Sequence, residues 1–346
     1  MSENKKTRIA SVDIAKAIAI FTVLMGHTVD SDTVYKTVIY SFHMPLFFLL
    51  SGFVTSIKDS YSKESWITFL YKKFWTILFP FALWGCIYSK FSFKNLIYIL
   101  WGTRETLICA DSLTSRWFLP MLFVAAILVE LSGMLTVAFR KRIHSDAPVM
   151  AVCMAVCFAA GFIAPHYQKY GDPFGCDVAF IAAGFMIAGQ LIRKFWQSAA
   201  GRKTFIHVLC FIGGLAGLTA YFVICRPEGY VLMANAVYGN RIAFVITSFL
   251  GSFLVLGAAE IISKIKPEQK LLPFIGRNTM GIFILHKPVV ELMRRVVTHF
   301  GYGYNNIAMM ILIPVIALCI VLPVLVLMQR FTPFMFGQIK SERSKS

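Results

Sequence analysis

The sequence predicts an all-α integral membrane protein of about ten transmembrane helices with both termini in the cytoplasm. Of the 346 residues, 58% are hydrophobic and 15% charged, a composition that water cannot solvate in a globule of this length and that bilayer lipid can. Ten apolar runs fall near residues 10–29, 38–57, 74–89, 117–139, 147–164, 176–192, 205–224, 241–262, 272–290 and 306–329. Each approaches the roughly 20 residues that cross about 30 Å of hydrocarbon. Basic residues collect in alternate connections, beginning with Lys5, Lys6 and Arg8, then Lys58, Lys63, Lys72 and Lys73, and then Arg140, Lys141 and Arg142. The series continues through Arg193, Lys194, Arg202, Lys203, Lys264, Lys266 and Lys270 to Arg330, Lys340, Arg343 and Lys345. Retention of Lys and Arg on the cytoplasmic side puts these segments inside. The net charge of +17 is then a topology signal and a match to anionic lipid headgroups, and nucleic-acid binding is not expected.

The first span carries Asp13, Lys16 and His27. Ionisable side chains within a span cost several kcal/mol unless they are paired or line a wet cavity, so they mark a functional path. The eleven-residue step from Lys16 to His27 is about three turns and about 16 Å, which puts both side chains on one helix face with Asp13 a turn below Lys16. No small-residue cleavage site follows this run, so it reads as an uncleaved first helix and not a signal peptide. The second span returns from the outside with His43 five residues in, at about the depth of His27, and Met44-Pro45 beside it predicts a kink.

Lys72 and Lys73 precede the third span, and Pro80 interrupts it. Phe93, Leu96, Ile97, Leu100 and Trp101 then form one helical stripe, read either as an interfacial helix or as a short packed loop helix. The following loop holds Arg104, Glu105, Asp111 and Arg116, charges that can meet a polar substrate or simply face solvent. Glu130, in the inner half of the fourth span, either pairs with Lys16 or reaches toward Arg140 and the surface. Spans five to eight hold few polar residues, and the outer loop from Cys225 to Arg241 is long enough to act as a lid. The ninth span repeats the pattern of the first, with Arg277 and Asn278 near its inner end and His286, Lys287 and Pro288 near its outer end. Three histidines from three helices are thus expected at a similar outer depth. The eight cysteines include Cys109, Cys176 and Cys225 near the outer face, where one disulfide is possible, and no metal site is expected.

The Lys16-to-His27 spacing, FHMPLFFLLSGF (Phe42 to Phe53), WFLPML (Trp117 to Leu122) and GRNTMGIFILHKP (Gly276 to Pro288) together resemble the acyltransferase 3 family. Within that family the resemblance is to the membrane O-acetyltransferases related to fucose 4-O-acetylase. The resemblance implies acetyl transfer from cytoplasmic acetyl-CoA to a hydroxyl of a cell-surface or lipid-linked carbohydrate, at the plasma or inner membrane. It maps the basic residue and His of the first span onto Lys16 and His27, the second-span His onto His43, and the tail motif onto Arg277, Asn278 and His286. One departure is visible: where many members carry two arginines three apart, this chain reads Lys72-Lys73-Phe74-Trp75-Thr76. Lysine meets phosphate as a point charge, without arginine's bidentate fork.

The chemistry of such a transfer agrees with the residues. Acetyl transfer to an alcohol needs a base for the hydroxyl proton, and imidazole, with an unperturbed pKa of about 6.5, suits that task near neutrality. His27 is the expected general base, with His43 orienting it, accepting the proton in turn or bonding the oxyanion. Asp13 and His286 complete the catalytic candidates, and Lys16, Lys72, Lys73, Arg277 and Asn278 are the candidates for holding the donor. Only 17 residues follow the tenth span, so a single membrane domain without a fused soluble domain is expected, and the acceptor must enter the membrane-embedded site. A polytopic transporter or flippase of a glycan or lipid-linked substrate would use the same cavity and charges, and is the alternative left open.

Overall fold

The computed structural model describes residues 9–30, 33–111, 114–164, 169–225 and 231–338. The topology residues Lys5, Lys6, Arg8, Lys340, Arg343 and Lys345, the Asp111 side chain and residues 226–230 of the expected lid lie outside the described residues. Within a bilayer every backbone polar group must be satisfied inside the protein, which favours helix throughout. Among the described residues no strand forms, and Leu232 and Val237 make one isolated antiparallel bridge.

From the N-terminal side, α1 (Ala10–Thr28) is followed by α2 (Val34–Tyr40) and α3 (His43–Phe53). Helix α4 (Lys63–Lys73) runs through a π-helical turn (Phe74–Leu78) into α5 (Phe79–Tyr88). Two short helices, α6 (Phe93–Trp101) and α7 (Arg104–Asp111), precede a 3-10 turn (Thr114–Trp117) and α8 (Phe118–Phe139). Then come α9 (Asp146–Ile163), α10 (Cys176–Trp196), α11 (Thr204–Cys225) and α12 (Arg241–Ile265). Finally α13 (Leu271–Arg277), α14 (Thr279–His299) and α15 (Ile307–Phe331) complete the bundle. Among the described residues, α1, α8, α9, α10, α11, α12 and α15 are the seven long and apolar enough to cross a membrane, so this is an all-α membrane protein.

The other three expected spans are each interrupted. The run at 38–57 breaks at Ser41–Phe42, where Phe42 leaves the helical region (φ −140°, ψ −23°) and His43 starts a new helix. The kink expected at Pro45 is therefore displaced upstream: Pro45 falls in the first turn of α3, where its missing N–H has no intrahelical partner to lose. The run at 74–89 opens with the π turn, in which the Phe79 N–H reaches the Phe74 carbonyl. That widening immediately precedes Pro80, which cannot donate to the ladder. The run at 272–290 breaks at Asn278 and then continues to His299, so His286 lies within a helix that extends past the expected span. Lys287, Glu291, Arg294 and Arg295 make the outer half of α14 polar.

The centre of the bundle is α1 with α3 and α10. Helix α10 is buried along 78% of its apolar window and α11 along 11%, so α10 sits inside while α11 faces lipid. Glycines let the central backbones touch. A Cβ at Gly52 would meet the Met186 carbonyl oxygen at 1.8 Å, and one at Gly189 the Leu49 oxygen at 2.0 Å. On the other side of α1, a Cβ at Gly276 would meet the Asp13 oxygen at 1.8 Å. Such close approach is how membrane helices gain van der Waals contact where lipid removes any hydrophobic preference between them.

Charged groups gather at the helix ends. Glu130 pairs with Lys58, not with Lys16 or Arg140 as expected, because Lys58 follows α3 and its ammonium reaches back over the Tyr61 and Phe69 rings. Arg140 and Lys194 share Asp146 at 2.9 Å each. The stripe on α6 faces away from the protein, with Phe93 at 82% and Ile97 at 65% exposure, as an interfacial helix requires. All eight cysteines are free, so the possible outer disulfide does not form.

At the far end of α1, Asp30 accepts from Arg294 Nη2 and Asn305 Nδ2, both at 2.7 Å, and its own N–H donates to Asn305 Oδ1 at 2.8 Å. Arg294 also donates to the Tyr304 hydroxyl at 2.6 Å. The Asn305 hydrogen bond, followed by the Arg294 charge, holds the Asp30 carboxyl below the usual carboxylate range.

Two outcomes test this architecture. Gly189→Leu is expected to lose the monodisperse, detergent-extracted protein, because overpacking costs about 1–3 kcal/mol even where side chains yield and here the obstacle is backbone. A melting curve matching wild type would refute the contact's importance. For Asp30, a depressed folded pKa means stability that is fully present above the unfolded value and lost as pH falls through the folded value. With the carboxylate 41% exposed, Asp30→Asn is expected to cost about 1 kcal/mol or less at pH 7. The gap between its melting temperature and wild type should close below the ordinary carboxylate range.

Candidate active site

His27 lies in the last turn of α1 and His286 at mid-length of α14, and their ring centroids are 5.2 Å apart. His286 is fully buried. Its Nδ1 is 2.8 Å from the Phe283 carbonyl oxygen and 3.2 Å from that of Ile282. A carbonyl can only accept, so Nδ1 carries the proton and Nε2 presents a lone pair. That Nε2 is buried without a hydrogen-bond partner among the described residues. His43 is fixed in the same way: the break before α3 turns its Nδ1 onto the Ile39 carbonyl at 2.8 Å, and its ring lies 4.7 Å from that of Tyr40.

His27 and His43 line one cavity of about 200 Å³, together with Lys36, Tyr40, Arg104, Ser115, Trp117 and Lys287. Phe283 closes it on one side. A second cavity of about 130 Å³ is mostly apolar and is lined by Lys16, Ser51 and Thr279 among Phe47, Phe118, Leu122, Met280 and again Phe283. Phe118 sits 5.4 Å from Phe283, 4.8 Å from Phe48 and 6.0 Å from Phe47, ring to ring, so an aromatic partition separates the two chambers. The shared face of Lys16 and His27 is therefore realised as two chambers along α1, one residue in each.

The remaining sequence candidates line neither cavity. Asp13 is buried, and its backbone carbonyl is the point at which α1 meets Gly276. Arg277 and Lys72 are exposed, and Lys73 is half-buried with its ammonium 5.8 Å from the Phe69 ring centroid. The Asn278 side chain donates to the Phe274 carbonyl at 2.9 Å, which is a local role at the break between α13 and α14. Of the loop charges, Arg104 does enter the histidine cavity, held by a 3.0 Å bond to Asn235 Oδ1. Arg116 is buried over the Tyr88 ring at 5.0 Å, and Glu105 bonds the Asn235 amide. Lys36, Tyr40 and Ser115 are cavity residues that spacing did not single out. Lys36 and Tyr40 stand at i, i+4 on α2, a helix that the sequence reading divided between a polar loop and the start of a span. Among the described residues no group of three His, Cys, Asp or Glu is placed to hold a metal ion.

The acyltransferase domain family matches residues 9–329, nearly the whole chain. Nodulation protein NolL of Mesorhizobium japonicum (strain LMG 29417 / CECT 9101 / MAFF 303099) is 23% identical over 319 residues, covering 85% of this chain and 79% of that protein. No solved structure matches. With an acyltransferase domain matching nearly the whole chain and seven helices long and apolar enough to cross a membrane among the described residues, the chain belongs to the acyltransferase 3 family of multi-pass membrane acyltransferases.

Proposed function

We propose that this acyltransferase carries acetyl from cytoplasmic acetyl-CoA to a hydroxyl of a cell-surface or lipid-linked carbohydrate, across ten spans of the plasma or inner membrane with both termini inside. The observation that carries the reading is the pair of chambers on one face of α1, basic and apolar around Lys16, then imidazole-lined around His27. The narrow Lys16 chamber suits the pantetheine arm and thioester but not the nucleotide. The nucleotide is left at the cytoplasmic face, where Lys72, Lys73 and Arg277 are at hand as point charges for its phosphates.

In this reading the His27 ring turns to donate one N–H to His286 Nε2, whose lone pair has no partner among the described residues, and the other His27 nitrogen keeps its lone pair for the acceptor hydroxyl. His27 takes the hydroxyl proton as the oxygen bonds to the thioester carbonyl carbon. The carbon–sulfur bond then breaks, and the imidazolium returns the proton to the leaving thiolate. With its Nδ1–H committed to Ile39, neutral His43 offers only an acceptor, so it orients the sugar hydroxyl, while the Ser115 hydroxyl is the donor for the oxyanion. The Phe118–Phe283 partition keeps water from the thioester until the two substrates meet. Asp13 serves the site through α1, as a positioning residue.

Inside-out vesicles given acetyl-labelled coenzyme A test this directly, by free CoA release and label in the glycan fraction. His27→Ala is expected to lower transfer by at least about 100-fold while the protein melts as wild type does. Retained turnover would remove His27 from the chemistry, and absence of both signals in wild type supplied with surface glycans would favour transport. Lys16→Ala is expected to raise KM for acetyl-CoA about tenfold with little change in kcat, the equivalent of roughly 1.4 kcal/mol of lost charged contact. An unchanged KM would place the donor elsewhere.

A further inference from the structure

Trp117 opens the WFLPML segment at the end of the 3-10 turn Thr114–Trp117, directly before α8. It lines the histidine chamber, and its ring stands perpendicular to that of Phe118 at 6.3 Å, beside the partition that the thioester must pass. Three tryptophans of the chain are buried, Trp84, Trp117 and Trp196. A buried indole usually finds an acceptor. Trp84 Nε1 donates to the Met335 carbonyl at 2.9 Å, and Trp196 Nε1 to Glu260 Oε1 at 3.0 Å. Trp117 is only 9% exposed, yet among the described residues its indole N–H has no hydrogen-bond partner. Ser115, two residues earlier on the same turn, lines the same cavity at 4% exposure, and its hydroxyl likewise meets no partner among the described residues. Other donors of the cavity wall are engaged, Lys36 with the Val29 carbonyl at 3.2 Å and Arg104 with Asn235 at 3.0 Å. Trp117 and Ser115 are therefore satisfied by what occupies the cavity.

The turn that carries both donors is tied to the helix of His286. Arg116, between them, is 1% exposed with its guanidinium 5.0 Å from the Tyr88 ring centroid, and the Tyr88 hydroxyl donates to the Ile284 carbonyl at 3.1 Å. Donors fixed before the reaction stabilise a developing oxyanion best, because nothing has to reorganise as the charge appears. We propose that Trp117 is a catalytic residue of the transfer: its indole N–H joins the Ser115 hydroxyl in a two-donor oxyanion hole for the thioester carbonyl. The inference rests on the acetyl-transfer reading above and extends it. As the acceptor oxygen bonds to the carbonyl carbon and His27 takes its proton, the carbonyl π pair moves onto oxygen, where the two donors meet the charge. That pair rebuilds the carbonyl as the carbon–sulfur bond breaks, and the departing thiolate takes the proton from His27. Indole donates and does not accept, which suits an oxyanion and leaves proton acceptance to the histidines.

Trp117→Phe separates the N–H from the ring, since phenylalanine keeps an aromatic surface for packing on Phe118 or stacking on a sugar and lacks the donor. In inside-out vesicles carrying the full chain, this variant is expected to lower kcat with acetyl-CoA about 100-fold, with KM for donor and acceptor and the melting temperature nearly unchanged. Ser115→Ala should lower kcat by a similar factor. The discriminating substrate is the dithioester analogue of acetyl-CoA, in which a thiocarbonyl sulfur, a weak acceptor, replaces the carbonyl oxygen. Wild type and Trp117→Phe should use it at nearly the same rate. Should Trp117→Phe fail to fold, benzothienylalanine at position 117, which exchanges the N–H for sulfur in a ring of the same shape, carries the same expectations. Wild-type kcat in the replaced protein overturns the inference and leaves the transferase reading intact. So does an equal loss on both substrates, the mark of a distorted turn, or a raised acceptor KM without loss of kcat, the mark of a sugar-stacking platform. No acetyl transfer by the wild type overturns the transferase reading and this inference together.

Discussion

The contact of α1 with α13 and α14 is the constraint on which the site depends. At Gly276 the two backbones touch at the Asp13 carbonyl, and any Cβ there would have to push them apart. From that point both helices run in the same direction, and their contacts follow in order: Asp13 with Gly276, His27 with His286, Asp30 with Arg294. A close contact at one end and a hydrogen-bonded ion pair at the other fix the register between them. The imidazole pair in the middle is thereby held by helices and not by loops, which is what a site needing geometry good to a fraction of an ångström requires.

The irregular backbone of the bundle falls at three places among the described residues. The α2–α3 break, the π turn before Pro80 and the Asn278 break interrupt expected spans, while the outer helices α9, α11 and α15 are continuous. Non-helical backbone at membrane depth is tolerated where it is buried in protein or lines a cavity. The α2–α3 break meets that condition visibly, because the Ile39 carbonyl beside it is bonded by the His43 ring. The break thus does two things: it restarts the helix at His43 and it fixes the tautomer of that histidine.

Charge and shape divide the interior. An apolar chamber with one lysine and a polar chamber with histidines and three further cations meet at Phe283, and Phe118 packs on the same ring. Acyl transfer gains from such a division, because a thioester is safest where water is scarce and a hydroxyl acceptor needs polar groups to orient it. The aromatic wall belongs to WFLPML and GRNTMGIFILHKP, two of the motifs that carry the family resemblance, so those segments contribute the partition as well as His286.

Much of this was legible in the sequence because its causes are local. Apolar runs and loop charges determined an all-α membrane protein, the eleven-residue spacing determined that Lys16 and His27 share a face, and the motif order determined the family. Span endings were less legible, since Pro45 and Pro80 could be accommodated by a fresh helix start or a π turn as well as by a kink. What only the tertiary structure decided is which polar groups meet. Lys58 and not Lys16 takes Glu130, Arg104 and Lys36 join the histidines while Arg277 and Lys72 stay outside, and His286 lies against His27. Helical periodicity fixes the face a side chain occupies on its own helix. The neighbour it meets depends on the tilt and register between helices, which close backbone contacts such as that at Gly276 set.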